Sequence, residues 1–475
     1  ILNTSIQDKL NAGTSVKVST SGGGTDAGNI TVSAPISSTN INSSLSLIAE
    51  GDIAINDNIN LASGSGQTFL ANAVNNISVS STKSITTQGA NVQLLSNSTA
   101  SSTSTNGAGI KLGSGSTITT NGGDILLAGG TSSSLTYAQG GTSTNTVGVL
   151  LAGNNTLNSG NGAITIKGAG AALSTGAMSG VEIDAGTSFN AGTGKIDVLG
   201  KNSSTASPAG SSAYGVFATG ANTFTSINTD ANAIAIQGLE GSAPVADSTA
   251  GIHLTGATFN TTSGGIALKS DRMVWGTNTW NTSALTIAAN TSGVTTGISM
   301  PANVTFNANS TLSTNFSFNG AFNKTNATRS TLTVLSGHDI ALNGALGATS
   351  GALNVSLTAN NNLSLASNSS ISTNGGNFYV GAVALDAYDT LTTKGNDFSM
   401  GSGSFIHAGT GIFSLSVNGN IQLPSQASYA NRYAITNLGG TSYYNNGAIV
   451  YGSKALSLST LGGNITTLNT EALKP

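Results

Sequence analysis

Four ionisable residues lie close enough in sequence to do acid–base chemistry together. Glu182 and Asp184 alternate along one stretch, and Lys195 and Asp197 alternate along the next. In a strand, alternate residues share a face, so both members of each pair project outward. Two carboxylates one strand apart can act as the acid and the base or nucleophile of glycoside cleavage. Such a site draws further acids, with Arg or Lys, from the adjoining repeats. No third acid recurs there and no Arg lies near in sequence. The four residues therefore read as a solvated ion-pair patch, and no residue is assigned a catalytic role. Asn228, Thr229 and Asp230 spell a tripeptide of pectinase-like hydrolases, but its Asp-Asp and Gly-His-Gly companions are missing. His253, His338 and His407 are far apart, so no metal site is expected. Calcium-binding nonapeptides are approached once, from Gly22 to Asp26, without repetition, and Asp386 and Asp389 form a lone acidic corner. No cofactor is implied.

Other residues offer binding or modification rather than catalysis. Asn-x-Ser/Thr sequences are common, and Asn97 and Asn202 open two loop-like stretches, which makes them the candidate glycosylation sites. Tyr429, Tyr433, Tyr443, Tyr444 and Tyr451 crowd together near the end of the sequence and form a candidate interaction surface, or a shield of rings over a last core layer. Thr117 and Thr119 flank Ile118 as in a flat threonine ladder, but Asn158 and Asn190 interrupt the array.

The elements that must position these residues are set by composition. The 475-residue chain is dominated by small residues, with 63 Gly, and only 7% of it is charged. An ordinary domain carries about 25% charged residues, so a thick core of large side chains knitted by surface ion pairs is excluded. Net charge is −3, which also argues against disorder driven by self-repulsion. Fifteen Lys and Arg are scattered singly, so no nucleic-acid partner is expected. No apolar run approaches the roughly 18 residues of a membrane span. Cysteine is absent, which fits a large exported chain that crosses a membrane unfolded. The sequence opens at Ile1 and reads as a mature or excised segment.

A three-beat aliphatic pattern then organises the chain. First beats fall at Ile110, Val149, Val181, Val216 and Ile252; second beats at Ile118, Leu157, Phe189, Phe224 and Phe259; third beats at Ile125, Ile164, Ile196, Ile234 and Ile266. Strand, turn, strand, turn, strand is one coil of a solenoid. The expected fold is all-β: a right-handed parallel β-helix (β-solenoid) of triangular coils, right-handed because parallel crossovers almost always are. Leu363, Ile371 and Phe378 read as one coil and Val383, Leu391 and Phe398 as the next, which sets the minimal coil at about 20 residues. Against that unit, segments 97–108, 131–147, 169–179, 201–214 and 239–250 are insertions between a third beat and the following first beat. They are expected to leave at one corner, as a row of loops. Residues 1–20 are read as an N-terminal cap whose helix starts at Ser5 and ends at Gly13, 21–423 as the β-helix, and 424–475 as Tyr-rich terminal coils or a C-terminal contact region.

The stretches TSIQDKLNAGTSVKVSTSGGGTDAGNITVSAPI, LSLIAEGDIAINDNINL and LSLASNSSISTNGGNFYVG resemble internal segments of filamentous-haemagglutinin-like exoproteins, adhesins of two-partner secretion in Gram-negative bacteria. The resemblance covers about 1–130 and 330–425 well, and the looped middle more loosely. It implies a β-helix exported through an outer-membrane transporter to the cell surface, where it adheres to a host or bacterial surface protein or glycan. The family's secretion domain carries Asn-Pro-Asn signatures, and none occurs here. The expected function is a non-enzymatic adhesin segment. The alternatives are a subunit of an extracellular filament that self-associates end to end, and a polysaccharide-active β-helix.

Overall fold

A computed structural model describes residues 1–423 apart from 21–25, 27, 98–108, 142–145, 172–178, 203–212, 240–248, 382–396 and short stretches between 271 and 360. Beyond 423 it describes 433–436, 442–445, 449–450, 456–460, 465–467 and 473–474. The chain divides into two units, Ile1–Asp271 and Arg272–Pro475. Each unit is a parallel β-solenoid of three-strand coils.

In the first unit the beats stack residue on residue. Ile110 pairs with Val149, then Val181, Val216 and Ile252 on the first face. Ile118, Leu157, Phe189, Phe224 and Phe259 follow one another on the second. Ile125, Ile164, Ile196, Ile234 and Ile266 do so on the third. All of these residues are essentially inaccessible to solvent. The three inner rows make a thin core in which like meets like. Phe189, Phe224 and Phe259 stack at 4.5 and 4.8 Å between ring centroids, within 10° of parallel. A one-residue slip would turn every beat to solvent, which locks the register.

The corners are held by polar ladders. At the corner before the first face, Asn29 Oδ1 accepts the Asp52 N–H at 2.7 Å, Asp52 Oδ1 the Asn76 N–H at 3.0 Å, and Asn76 Oδ1 the Gly109 N–H at 3.0 Å. The second unit repeats the device with Asp339, Asn362 and Asp397, which accept the N–H groups of Asn362, Asp397 and Asn420. Asp alternates with Asn, so like charges are not directly stacked. Between the second and third faces, buried Thr87, Ser159, Thr261 and Thr373 donate to the carbonyl three residues on, at 2.6–2.7 Å. Thr120 makes the same bond to Gly123. Polar side chains are thus tolerated inside the corners because their hydrogen bonds are made there.

Two expectations are corrected here. Unlooped coils are longer than 20 residues: Ile30 stacks on Ile53, Ile340 on Leu363 and Phe398 on Ile421, a step of about 23. Leu363, Ile371 and Phe378 do form one coil, but Phe398 pairs with Leu363 and so takes a first beat, not a third. Ile406 and Phe413 complete its coil. Val383 and Leu391 lie outside the described residues.

The N-terminal helix runs from Asn3 to Asn11 and buries Ile6 and Leu10. Leu2, not Ser5, is its N-cap, and no side chain caps it. It is tied instead to the solenoid: Asn3 donates to the Pro35 carbonyl, Ser37 to Gln7, and the Thr39 N–H to Asn11. Its C-terminus behaves as expected: Gly13, at φ 79°, and Thr14 donate back to Leu10 and Lys9.

Candidate functional site: the loop corner and its flanking faces

The five expected insertions begin at or near the end of a third-face strand and finish at or near the start of a first-face strand, at 91–96/110–112, 125–131/149–151, 164–169/181–183, 196–201/213–219 and 234–239/249–255, but residues 131, 169, 201, 213–214, 239 and 249–250 of their expected bounds belong to those strands. The outgoing ends stack, with Gly168 beside Gly200 and Gly200 beside Gly238. So do the returning starts, with Ala213 beside Thr249 and Tyr214 beside Ala250. Segment 131–147 turns back at once, as Thr131 and Ser134 close an antiparallel hairpin. The interiors of the other four lie outside the described residues.

At three of these bases the outgoing and returning strands cross glycine on glycine. A Cβ on Gly168 would meet the Gly180 carbonyl, one on Gly200 the Gly215 carbonyl, and one on Gly238 the Gly251 carbonyl. Outgoing and returning backbones therefore pass closer than any side chain permits. The three-beat pattern by itself gives these glycines no role. The signal was present: Gly stands four residues after the third beat (129, 168, 200, 238) and just before the first beat (148, 180, 215, 251).

The first face beside this corner carries an outward row of Lys111, Leu150, Glu182, Phe217 and His253. Tyr214 is 5% exposed and stacks on Phe217, with centroids 5.0 Å apart and planes 7° apart. The His253 ring meets both edge-on, at 4.8 and 5.0 Å. His253 Nε2 lies 3.1 Å from the Thr255 hydroxyl, and Nδ1 is buried without a hydrogen-bond partner. Burial holds this imidazole below its ordinary value. Burial likewise pushes the Glu182 carboxyl up, and the neighbouring Asp184 adds to the effect. Burial also raises Asp184.

The two candidate acid–base pairs do not converge. Glu182 is on the first face and Asp184 immediately follows its strand, whereas Asp197 is on the third face, in register with Thr165 and Ala235. The strand Ser188–Asn190 of the second face separates them in the chain. Lys195 pairs with Asp230, and that hydrogen bond raises the ammonium's pKa. The Asn228–Asp230 tripeptide makes a turn: Asn228 Oδ1 accepts the Asp230 N–H at 2.9 Å, and Asn228 Nδ2 donates to the Thr193 carbonyl. His253 and His407 sit on separate units, and His338 lies outside the described residues. No group of metal-ligating side chains occurs among the described residues. Gly22–Thr25, Asp386 and Asp389 lie outside them.

Asn97, half-buried at φ 52°, stands where its loop leaves. Asn202 is 2% exposed, so a glycan on it would have to displace its surroundings. Of the tyrosines, Tyr433, Tyr443 and Tyr444 lie on an antiparallel hairpin, 433–436 with 442–445. Tyr429 and Tyr451 lie outside the described residues. This hairpin is inserted between a first-face and a second-face strand, after which the parallel rows resume at Ile449, Leu456 and Ile465. No helix of the described residues is long and apolar enough to cross a membrane.

Comparison with protein families, characterised proteins and solved structures finds no match to this chain.

Proposed function

We propose that this chain is a non-enzymatic segment of an extracellular adhesin, a β-solenoid stalk that presents loops to a surface protein or glycan of a host cell or another bacterium. One observation carries the reading. Five insertions of unrelated sequence leave one corner while the strand rows beneath them keep register residue for residue. A scaffold that absorbs variable segments at one edge without disturbing its core separates stability from recognition. The loops are polar and nearly uncharged, which suits hydrogen-bonded recognition. Export through an outer-membrane transporter belongs to the same proposal and rests on the family resemblance.

The test is adhesion of beads coated with the purified chain to epithelial and bacterial cells. Replacing 203–212 and 240–248 by short Gly-Ser turns is expected to abolish adhesion while the thermal midpoint moves by only a few degrees, because loop length costs little. Full adhesion by the shortened variants would sink the loop reading.

A second reading, an end-to-end filament subunit, draws on the N-terminal end, where Leu2 and Ile41 are 71% and 60% exposed. Electron microscopy separates the two. Isolated particles at dilute concentration support the adhesin, and concentration-dependent fibres support the filament.

A further inference from the structure

On the outer side of the third face, three stacked strands enclose a groove of about 370 Å³ lined by Thr165, Lys167, Asp197, Leu199, Ala235 and Gln237. Its origin is local. Thr165, Asp197 and Ala235 form one outward row, and Lys167, Leu199 and Gln237 the next. Ala235 and then Ala267 follow Asp197 in the first row, so the surface drops where longer side chains stop. The floor is apolar, from Ala235 and the flank of Leu199. The rim carries a hydroxyl, an ammonium, a carboxylate and an amide.

These rim groups are half-buried, and none donates or accepts a hydrogen bond within the protein. Lys167 and Lys195 act on Asp197 only through space. A partly desolvated carboxylate without donors lacks hydrogen bonds that a ligand can supply. A ligand for this groove must offer donors to Asp197, acceptors to Lys167 and Gln237, and a flat apolar patch to Ala235. It must also tolerate charges that nearly cancel. A phosphate or carboxylate would face Asp197 directly, and an extended peptide finds no free strand edge in the middle of a paired sheet. The groove's volume is at the small end of ligand sites, about 300–1,000 Å³.

We infer that this groove is a subsite for one neutral hexose of a glycan. The apolar face of the sugar rests on Ala235 and Leu199. Vicinal hydroxyls donate to the Asp197 carboxylate, and other sugar oxygens accept from Lys167 and Gln237. The inference deepens the adhesin reading and rests on it for the glycan's biological setting.

The test uses the full chain and a panel of glucose, galactose, mannose and N-acetylhexosamine oligosaccharides, with sialic and uronic acids alongside, followed by saturation-transfer NMR and calorimetry. At least one neutral sugar is expected to bind with a Kd of about 1 mM or tighter. Ala235→Leu, which fills the groove from outside the core, is expected to abolish binding. Asp197→Ala and Gln237→Ala are each expected to weaken it about tenfold or more. Thr223→Ala, on the second face, is expected to leave it unchanged, and circular dichroism with thermal melts reports that each variant is folded. Absence of neutral-sugar binding, binding of acidic sugars alone, or undiminished binding by a folded Ala235→Leu variant would each overturn the inference. If Ala235→Leu loses the sugar but the chain adheres to no cell, the subsite stands and the adhesin reading falls. If adhesion depends on the loops while the chain binds no sugar, the reverse holds.

Discussion

Glu182, Asp184 and Asp197 share a condition unusual for solvent-facing carboxyls: burial on the flat outer sheet costs each ionised form hydration that no hydrogen bond replaces. Their folded pKa values are raised, so between the ordinary and the raised value the folded protein holds protons that the unfolded chain has released. Stability therefore falls as pH rises through that window and returns on acidification. His253 and His407 act oppositely. Burial lowers their values, so the unfolded chain protonates first as pH drops below 6.5, and stability declines there. Glu182→Gln is expected to raise the thermal midpoint at neutral pH and to match the parent below the ordinary glutamate value of 4.5. An equal effect at both pH values would sink that account. A second prediction concerns Asn222, which is fully buried, accepts the Thr187 N–H at 3.0 Å and donates to the Ile183 and Thr219 carbonyls. Asn222→Ala leaves those groups unpaired between coils and is expected to cost about 1–3 kcal/mol in denaturant unfolding.

At the scale of the element, a single short strand gains little by itself, and its stability comes from the identical strands above and below it. The Phe189–Phe224–Phe259 stack shows the consequence. Phe224→Ala opens a cavity between two rings that cannot collapse sideways, because the coils fix their spacing. The expected loss is about 3–5 kcal/mol by chemical denaturation. The glycine crossings make a complementary prediction. Gly200→Ala sets a methyl against the Gly215 carbonyl and is expected to cost about 1–3 kcal/mol. The same change at Gly66, around which a Cβ meets nothing, costs only the strain of its positive φ. If Gly200→Ala proved no worse than Gly66→Ala, the backbone crossing would not be the constraint described above.

At the scale of the molecule, charge plays almost no structural part. The chain is 7% charged, and ion pairs such as Lys83–Asp57 and Lys195–Asp230 are partly exposed. Backbone ladders, inner rows and hydrogen-bonded Asn/Asp corner ladders do the holding, through short-range contacts that salt screens little. The thermal midpoint is therefore expected to stay within a few degrees between about 0.05 and 0.5 M NaCl. A steep salt dependence would show that exposed pairs matter more than the geometry indicates. The same economy frees the surface. With the fold secured from inside, loop segments and outward positions such as Asp197, Ala235 and Gln237 can vary without disturbing the rows beneath them.

The aliphatic beats made the solenoid, its three faces and its register legible, because strand periodicity and like-on-like stacking are written directly in residue order. The corner from which the loops leave was legible for the same reason: an insertion shows as a fixed gap between third and first beats. The phase near Phe398 was not, because spacing alone does not say which beat Phe398 takes, and only its pairing with Leu363 shows it to be a first beat. The separation of the candidate carboxylates was legible too: Glu182 follows the first beat Val181 and Asp197 the third beat Ile196, and strand pairing places them on the first and third faces. The glycine crossings and the groove over Ala235 belong wholly to the tertiary structure. They arise between residues about 12 to 40 positions apart, brought together only when one coil lies on the next.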